Sequence, residues 1–213
     1  MSSMPCIRHS LPFTLLVAVL TLAGCASAPS ERRTPVRLEI QEDVGFTITE
    51  EARINAVVRD EYQTALDLLE NEREEQGIAL LRQVADQAPS LSAPRIDLGI
   101  AYHRLGDLEA AEEELLVARE LNPDHPIVHN ELGIIYRKTG RFAEARDSYE
   151  QALAIYPGFH YARRNLAVLC DLYLADPECA LENYEAYMTT VVEDEEAAMW
   201  IADLHNRTQA PEE

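Results

Sequence analysis

The chain has 213 residues, 47% of them apolar, with 38 acidic against 18 basic side chains and a formal charge of −20. That length allows one modest domain with a buried core plus appendages. The acidity excludes a nucleic-acid binder, since phosphate contacts need a basic footprint. Outside the N-terminus no run of about 20 apolar residues occurs, so no mature transmembrane helix is expected.

Residues 1–24 read as a signal peptide: Arg8 and His9 precede an apolar stretch from Leu11 to Leu22, too short to span a bilayer comfortably. The stretch ends in Leu22-Ala23-Gly24-Cys25, which resembles the lipobox of bacterial lipoproteins. The resemblance implies that Cys25 is acylated and becomes the first residue after cleavage. Ala26 stands where such lipoproteins carry aspartate when retained at the inner membrane, so an outer-membrane anchor facing the periplasm is implied. Without Arg8 the chain keeps 17 basic residues (18 − 1) against 38 acidic ones, a charge of −21 (17 − 38). Anionic lipid should repel it, so the acyl chains carry the anchoring.

Residues 25–49 read as a lipidated tether followed by an extended segment. Ala26 to Pro35 are small, polar and proline-containing. Val36–Ile40 and Val44–Ile48 then alternate apolar with other residues, the pattern of short extended segments. They either pair with each other or lie along the following domain. From Thr49, read as an N-cap before Glu50 and Glu51, the pattern turns helical, and residues 50–209 form one domain.

Within that domain the chain repeats. Pro89, Pro123 and Pro157 are 34 residues apart (123 − 89 = 157 − 123 = 34), and Leu98-Gly99 returns as Leu132-Gly133. Tyr102 returns as Tyr136, Gly106 as Gly140, Ala111 as Ala145 and Ala118 as Ala152. Gly106 and Gly140 are placed to end a first helix in the left-handed conformation, and Pro123 and Pro157 to end a second. A 34-residue helix–turn–helix unit with these landmarks resembles the tetratricopeptide repeat (TPR) family. The resemblance implies an all-α superhelix that holds partners. Repeats are expected at 58–91 (degenerate), 92–125, 126–159 and 160–192. In the last, the register slips by one residue at Asp176-Pro177, read as an N-cap and first-turn proline. Ala197, Trp200, Ile201 and Leu204 form an amphipathic stripe, read as a capping helix over 194–207.

In this family the first helices line a concave groove that binds extended peptides or helices. Carried over, the groove stripes are Arg59, Tyr62, Leu66 and Leu69; Ile96, Ile100, His103 and Arg104; Asn130, Ile134, Arg137 and Lys138; and Tyr161, Arg164, Val168 and Asp171. Lys138 is the chain's one lysine. Arg104, Arg137, Lys138 and Arg164 on one face of an acidic protein would focus a positive potential. An acidic peptide or C-terminal carboxylate is the expected ligand, with Asn130 contacting its backbone. The competing reading pairs these arginines with neighbouring glutamates on a solvated face.

Cys6 leaves with the signal peptide and Cys25 is lipid-modified, which leaves Cys170 and Cys179 in an oxidising compartment. They flank the Asp176-Pro177 turn and are expected to form a disulfide, the alternative being two buried thiols. His125 and His129 are read as loop surface around Pro126, and the acidic runs Glu112–Glu114 and Glu193–Glu196 as solvated surface, so no metal or other cofactor is expected. No catalytic motif is visible, and no enzyme is expected.

Leu169 to Tyr173, Cys179 to Leu181 and Trp200 to Leu204 resemble TPR proteins found beside ExbB, ExbD and TonB-type energy-transducing components in gammaproteobacteria. That implies an adaptor in an envelope complex, with a periplasmic protein or peptide partner. Three alternatives stay open: a pilotin-like lipoprotein of type IV pilus assembly, an adaptor for peptidoglycan hydrolases, and a structural homo-oligomer.

Overall fold

The computed structural model describes residues 36–41, 45–50 and 54–209. The signal peptide, Cys25 and the tether lie outside them. Strands β1 (Val36–Gln41) and β2 (Gly45–Glu50) pair antiparallel, with Val36 opposite Glu50 and Gln41 opposite Gly45. Of the two arrangements open from sequence, the segments pair with each other.

The helices follow as α1 (Ala56–Glu70), α2 (Glu74–Gln87), α3 (Ala93–Leu105), α4 (Leu108–Leu121), α5 (Pro126–Lys138), α6 (Phe142–Ile155), α7 (His160–Leu172), α8 (Pro177–Met188) and α9 (Glu195–Gln209). The first begins later than Thr49 suggested. Residues 45–50 are strand, and Asn55 is the cap, accepting the Val58 N–H at 2.9 Å. Thr49 is a β-branched residue whose alternating neighbours won it for the hairpin. The Glu50 carboxylate accepts the backbone N–H of Ser92 at 2.9 Å, which supplies an orphan donor at the start of α3 with a partner.

Helices α1, α3, α5 and α7 each pack on the helix that follows, each pair stacks on the next, and the last pair stacks on α9. The first helices α3, α5 and α7 also touch one another directly, forming one layer of the stack. Core positions recur in step. Leu98 and Leu132 are fully buried and Leu166 nearly so, and Ala111, Ala145 and Ala180 are fully buried. Two helices can approach this closely only where one side chain is nearly absent. A Cβ on Gly133 would stand 2.5 Å from the Tyr149 ring, and one on Gly99 would stand 2.5 Å from Leu115.

Gly106 and Gly140 end first helices with φ of 82° and 78°. The Asp107 N–H then reaches the Tyr102 carbonyl at 3.0 Å, and the Arg141 N–H the Tyr136 carbonyl at 2.8 Å, the six-to-one bond of a Schellman turn. In the fourth unit the left-handed residue is Ala175, one position late, and the Asp176 N–H reaches the Cys170 carbonyl at 3.0 Å. Asp176 caps α8 by accepting the Cys179 N–H. Cys170 and Cys179 are bonded, with Cα atoms 5.9 Å apart, stapling α7 to α8 across this longer turn. Among the described residues no helix is long and apolar enough to cross a membrane.

Candidate functional site

The first-helix layer carries polar side chains at equivalent positions of successive units. Asp97, Glu131 and Asn165 stand 34 residues apart (131 − 97 = 165 − 131 = 34). Asp97 accepts a hydrogen bond from the Tyr62 hydroxyl of the neighbouring α1. Burial holds the Asp97 carboxyl above its ordinary range, and it holds the Tyr62 hydroxyl high as well. Burial likewise raises Glu131, with Arg104 and the Asn130 amide pulling the other way.

Asn130 is 4% exposed, and both ends of its amide are engaged. Its Nδ2 donates to Glu131 at 3.1 Å, and its Oδ1 accepts from Asn165 Nδ2 at 2.9 Å. The expectation that Asn130 contacts a bound backbone is therefore corrected: it ties α5 to α7 beneath the surface. A buried amide must satisfy itself locally, and its neighbours do so.

The cations at the helix ends are arranged differently. His103 and Arg104 lie in the last turn of α3, and Arg137 and Lys138 in the last turn of α5, where the helix dipole favours positive charge. Burial, then the charges of Lys138, Arg137 and Arg104, hold the His103 imidazole below its ordinary value of 6.5. All three cations thus act on one point. Among the described residues none of the three has a carboxylate within ion-pair distance. Arg137 is half-buried and donates through Nε to the Tyr149 hydroxyl at a long 3.5 Å, with its guanidinium 5.8 Å from the Tyr173 ring. Burial pushes the Tyr149 hydroxyl up to about 12, so it stays a neutral partner.

Arg164 of this face, and Arg207 on α9, are paired. Arg164 meets Glu196 at 3.4 Å and stacks 5.1 Å over the Trp200 ring, which itself lies 5.3 Å from Tyr184. Arg207 meets Asp171 at 2.6 Å and Asp203 at 2.8 Å. Both readings of the arginines therefore apply, to different members. A depression of about 680 Å³ joins Arg137, Arg164, Asn165 and Val168 to Tyr184, Trp200 and Arg207. Asn165, Trp200 and Arg207 were not among the groove residues read from sequence. The signal was present: Asn165 follows Glu131 by 34, and Trp200 follows Asn165 by 35 once the one-residue slip is carried forward (165 − 131 = 34; 200 − 165 = 35).

His125 and His129 are 7% and 9% exposed, not loop surface. His129 Nε2 is 2.7 Å from the Pro123 carbonyl, and His125 Nδ1 has no partner among the described residues. His125 is the residue before α5 and His129 lies within its first turn, so the helix starts earlier than a loop reading of these two residues allows. Cys170, Asp176 and Cys179 bring ligand atoms within 4.8 Å of one another, but the two sulfurs are bonded to each other and the Asp176 carboxylate is taken by the Cys179 N–H and Arg146.

A tetratricopeptide repeat family model matches residues 62–126, 96–158 and 130–170, together spanning 62–170, just over half the chain. The anaphase-promoting complex subunit CDC16 of Saccharomyces cerevisiae is 30% identical over 67 residues, covering 32% of this chain; the chain spans 8% of that relative. A structure from the functional characterization of Pseudomonas aeruginosa pilF superimposes with a TM-score of 0.65 at 22% identity, covering 71% of this chain and 69% of that one. The first TPR of Spaghetti (RPAP3), bound to the HSP90 peptide SRMEEVD, superimposes with a TM-score of 0.53 at 17% identity, covering 56% and 96%. At these identities the structural likenesses speak for the fold. The family match, the 34-residue register and the stacked helical hairpins agree: this chain belongs to the tetratricopeptide repeat family.

Proposed function

We propose that the chain is an adaptor that holds an acidic segment of a protein partner on its first-helix face. A fold of this family is consistent with a protein–protein interaction scaffold, and its members are generally not enzymes. The observation that carries the ligand class is the group Arg104, Arg137 and Lys138, whose charges act on His103 and none of which has a carboxylate within ion-pair distance among the described residues of a chain with charge −20. A partly desolvated guanidinium without an anion is stabilised by one that arrives, and Arg offers a planar fork for it.

The location belongs to the same proposal. Leu22-Ala23-Gly24-Cys25 supports lipid attachment at Cys25, Ala26 supports the outer membrane, and the Cys170–Cys179 bond suits an oxidising periplasm. We take the partner to be a component of an envelope complex of the ExbB, ExbD and TonB type. Titration with an acidic peptide, followed by emission of Trp200, tests the binding reading, because Trp200 is the chain's one tryptophan and lines the depression. A saturable change is expected, and no response at millimolar peptide would overturn it. Cys25→Ser should release the protein from the membrane fraction.

A further inference from the structure

His103 feels the charges of all three cations and makes no side-chain hydrogen bond among the described residues. Its side chain is 18% exposed, and its Nδ1 lies 3.8 Å from Glu131 Oε2, whose side chain is 16% exposed. That separation is too long for a hydrogen bond but within reach of an ion pair once the imidazole is charged. From its own helix Arg104 acts on it, and from α5 Arg137 and Lys138 do. Two carboxylates lie on the same layer: Glu131, already bonded by Asn130, and Asp97, held by Tyr62 of α1. At the equivalent positions α1 offers Leu69 and Glu70 (103 − 69 = 104 − 70 = 34).

We propose that partner binding on this face is proton-coupled: the acidic group that docks on Arg104, Arg137 and Lys138 binds together with a proton taken up by His103. The inference rests on the acidic-ligand reading above and adds to it.

The physical cause is the field at one imidazole. In the free protein three positive neighbours and partial burial oppose a fourth positive charge. A docked carboxylate cancels part of that field and adds an attraction of the opposite sign. The proton then arrives from solvent at His103. The charged ring gains Glu131 as an ion-pair partner, and that buried carboxylate gains a cation. No bond is made or broken beyond the protonation. Because the bound state holds the proton more tightly than the free state, affinity must rise as pH falls, with the coupling equal in both directions. His125 and His129 do not enter, since they are buried around the Pro126 turn and titrate against folding.

The test uses the Cys25-truncated chain and a short peptide alternating glutamate and leucine, whose carboxylates stay ionised above about pH 5.5. Calorimetry in two buffers of different ionisation enthalpy counts protons directly on the unaltered chain. Uptake of up to one proton is expected, and affinity should rise roughly three- to tenfold between about pH 7.5 and 5.5. H103Q should bind the peptide with an affinity that does not vary over that range. PH-independent binding by the unaltered chain, or an unchanged slope in H103Q, would overturn the coupling while leaving the acidic-ligand reading intact. No binding at either pH by folded protein would overturn that reading, and the coupling with it.

Discussion

Glu72 occupies the same left-handed backbone position as Gly106, with φ of 57° against 82°, and stands 34 residues before it (106 − 72 = 34). Ala175 fills the corresponding place in the fourth unit at φ 50°, one residue late. Three first helices are thus ended by the same conformation in register and a fourth by a shifted copy, while only two of the four use the residue suited to it. The fold enforces the turn even where the side chain opposes it, because the Schellman bonds and the packed second helix determine it.

Glu72→Gly and Ala175→Gly should therefore stabilise the protein. Relief of the Cβ strain is worth about 1–2 kcal/mol, offset in part by the added freedom of the unfolded chain, for a net gain of about 1 kcal/mol each. Thermal unfolding should show Tm higher by about 2–4 °C. A fall in Tm for both would contradict the assignment.

Gly133→Ala should destabilise by about 1–3 kcal/mol, because the new methyl meets a ring that is fully buried. Urea unfolding would show a lower midpoint with the slope unchanged. Gly140→Ala has open space around it, and its cost comes from the left-handed backbone alone. A combined Gly133→Ala and Tyr149→Phe variant should recover little, since the clash is with ring carbons rather than the hydroxyl.

Stability should fall with acidification below the ordinary histidine value of 6.5. Burial pushes His125 down to about 4 and lowers His129, so both hold a proton less tightly in the folded state than in the unfolded chain. The unfolded state then binds more protons, and each histidine removes about 1.4 kcal/mol per pH unit between its unfolded and folded values. For His125 that window runs from 6.5 to about 4. Asp97 and Glu131 have the opposite sign: their raised values add stability at low pH that is lost as pH rises through them. Urea midpoints measured from about pH 7.5 to 5 should drop, and His125→Phe should make that drop shallower, since the burial-lowered His129, His103 and His160 still contribute. A midpoint that does not move with pH would contradict the burial argument.

Reduction of Cys170–Cys179 should lower stability by about 2–3 kcal/mol, the loop-closure value for a bridge spanning nine residues. The doubly substituted Cys170→Ala, Cys179→Ala protein should be insensitive to reductant. Equal Tm with and without dithiothreitol in the unaltered chain would contradict this.

The helical stack was legible because its period is enforced by packing: Leu98, Leu132, Gly99 and Gly133 are repeated where helices touch, and Gly106 and Gly140 where the chain must turn left-handed. Other features depend on contacts that no local window contains. Thr49 looked like a cap, but strand pairing with Arg37 claimed it, and Asn55 caps instead. Asn130 looked available until Asn165 and Glu131 took both ends of its amide. His125 and His129 looked like loop surface because their burial comes from the packed layers around the turn. Arg207 fell outside the groove stripes because the slip at Ala175 was not carried forward into α9, where it follows Lys138 by 69 residues (207 − 138 = 34 + 35 = 69). Trp200 fell outside them because its register position, that of Glu131 and Asn165, was not counted in the stripes. The cations Arg104, Arg137 and Lys138 were legible by register, but which of the face's arginines lack a carboxylate partner was not.

The central claim is that these three cations hold the partner. Capture of envelope proteins on immobilised protein, comparing the unaltered chain with Arg104→Ala, Arg137→Ala, Lys138→Ala, tests it most directly. The triple variant should keep a urea midpoint close to the original and lose at least about tenfold in captured partner, as expected when charge-assisted bonds of about 1.5–3 kcal/mol each are removed. Undiminished capture of the same partner by the folded triple variant would contradict the account.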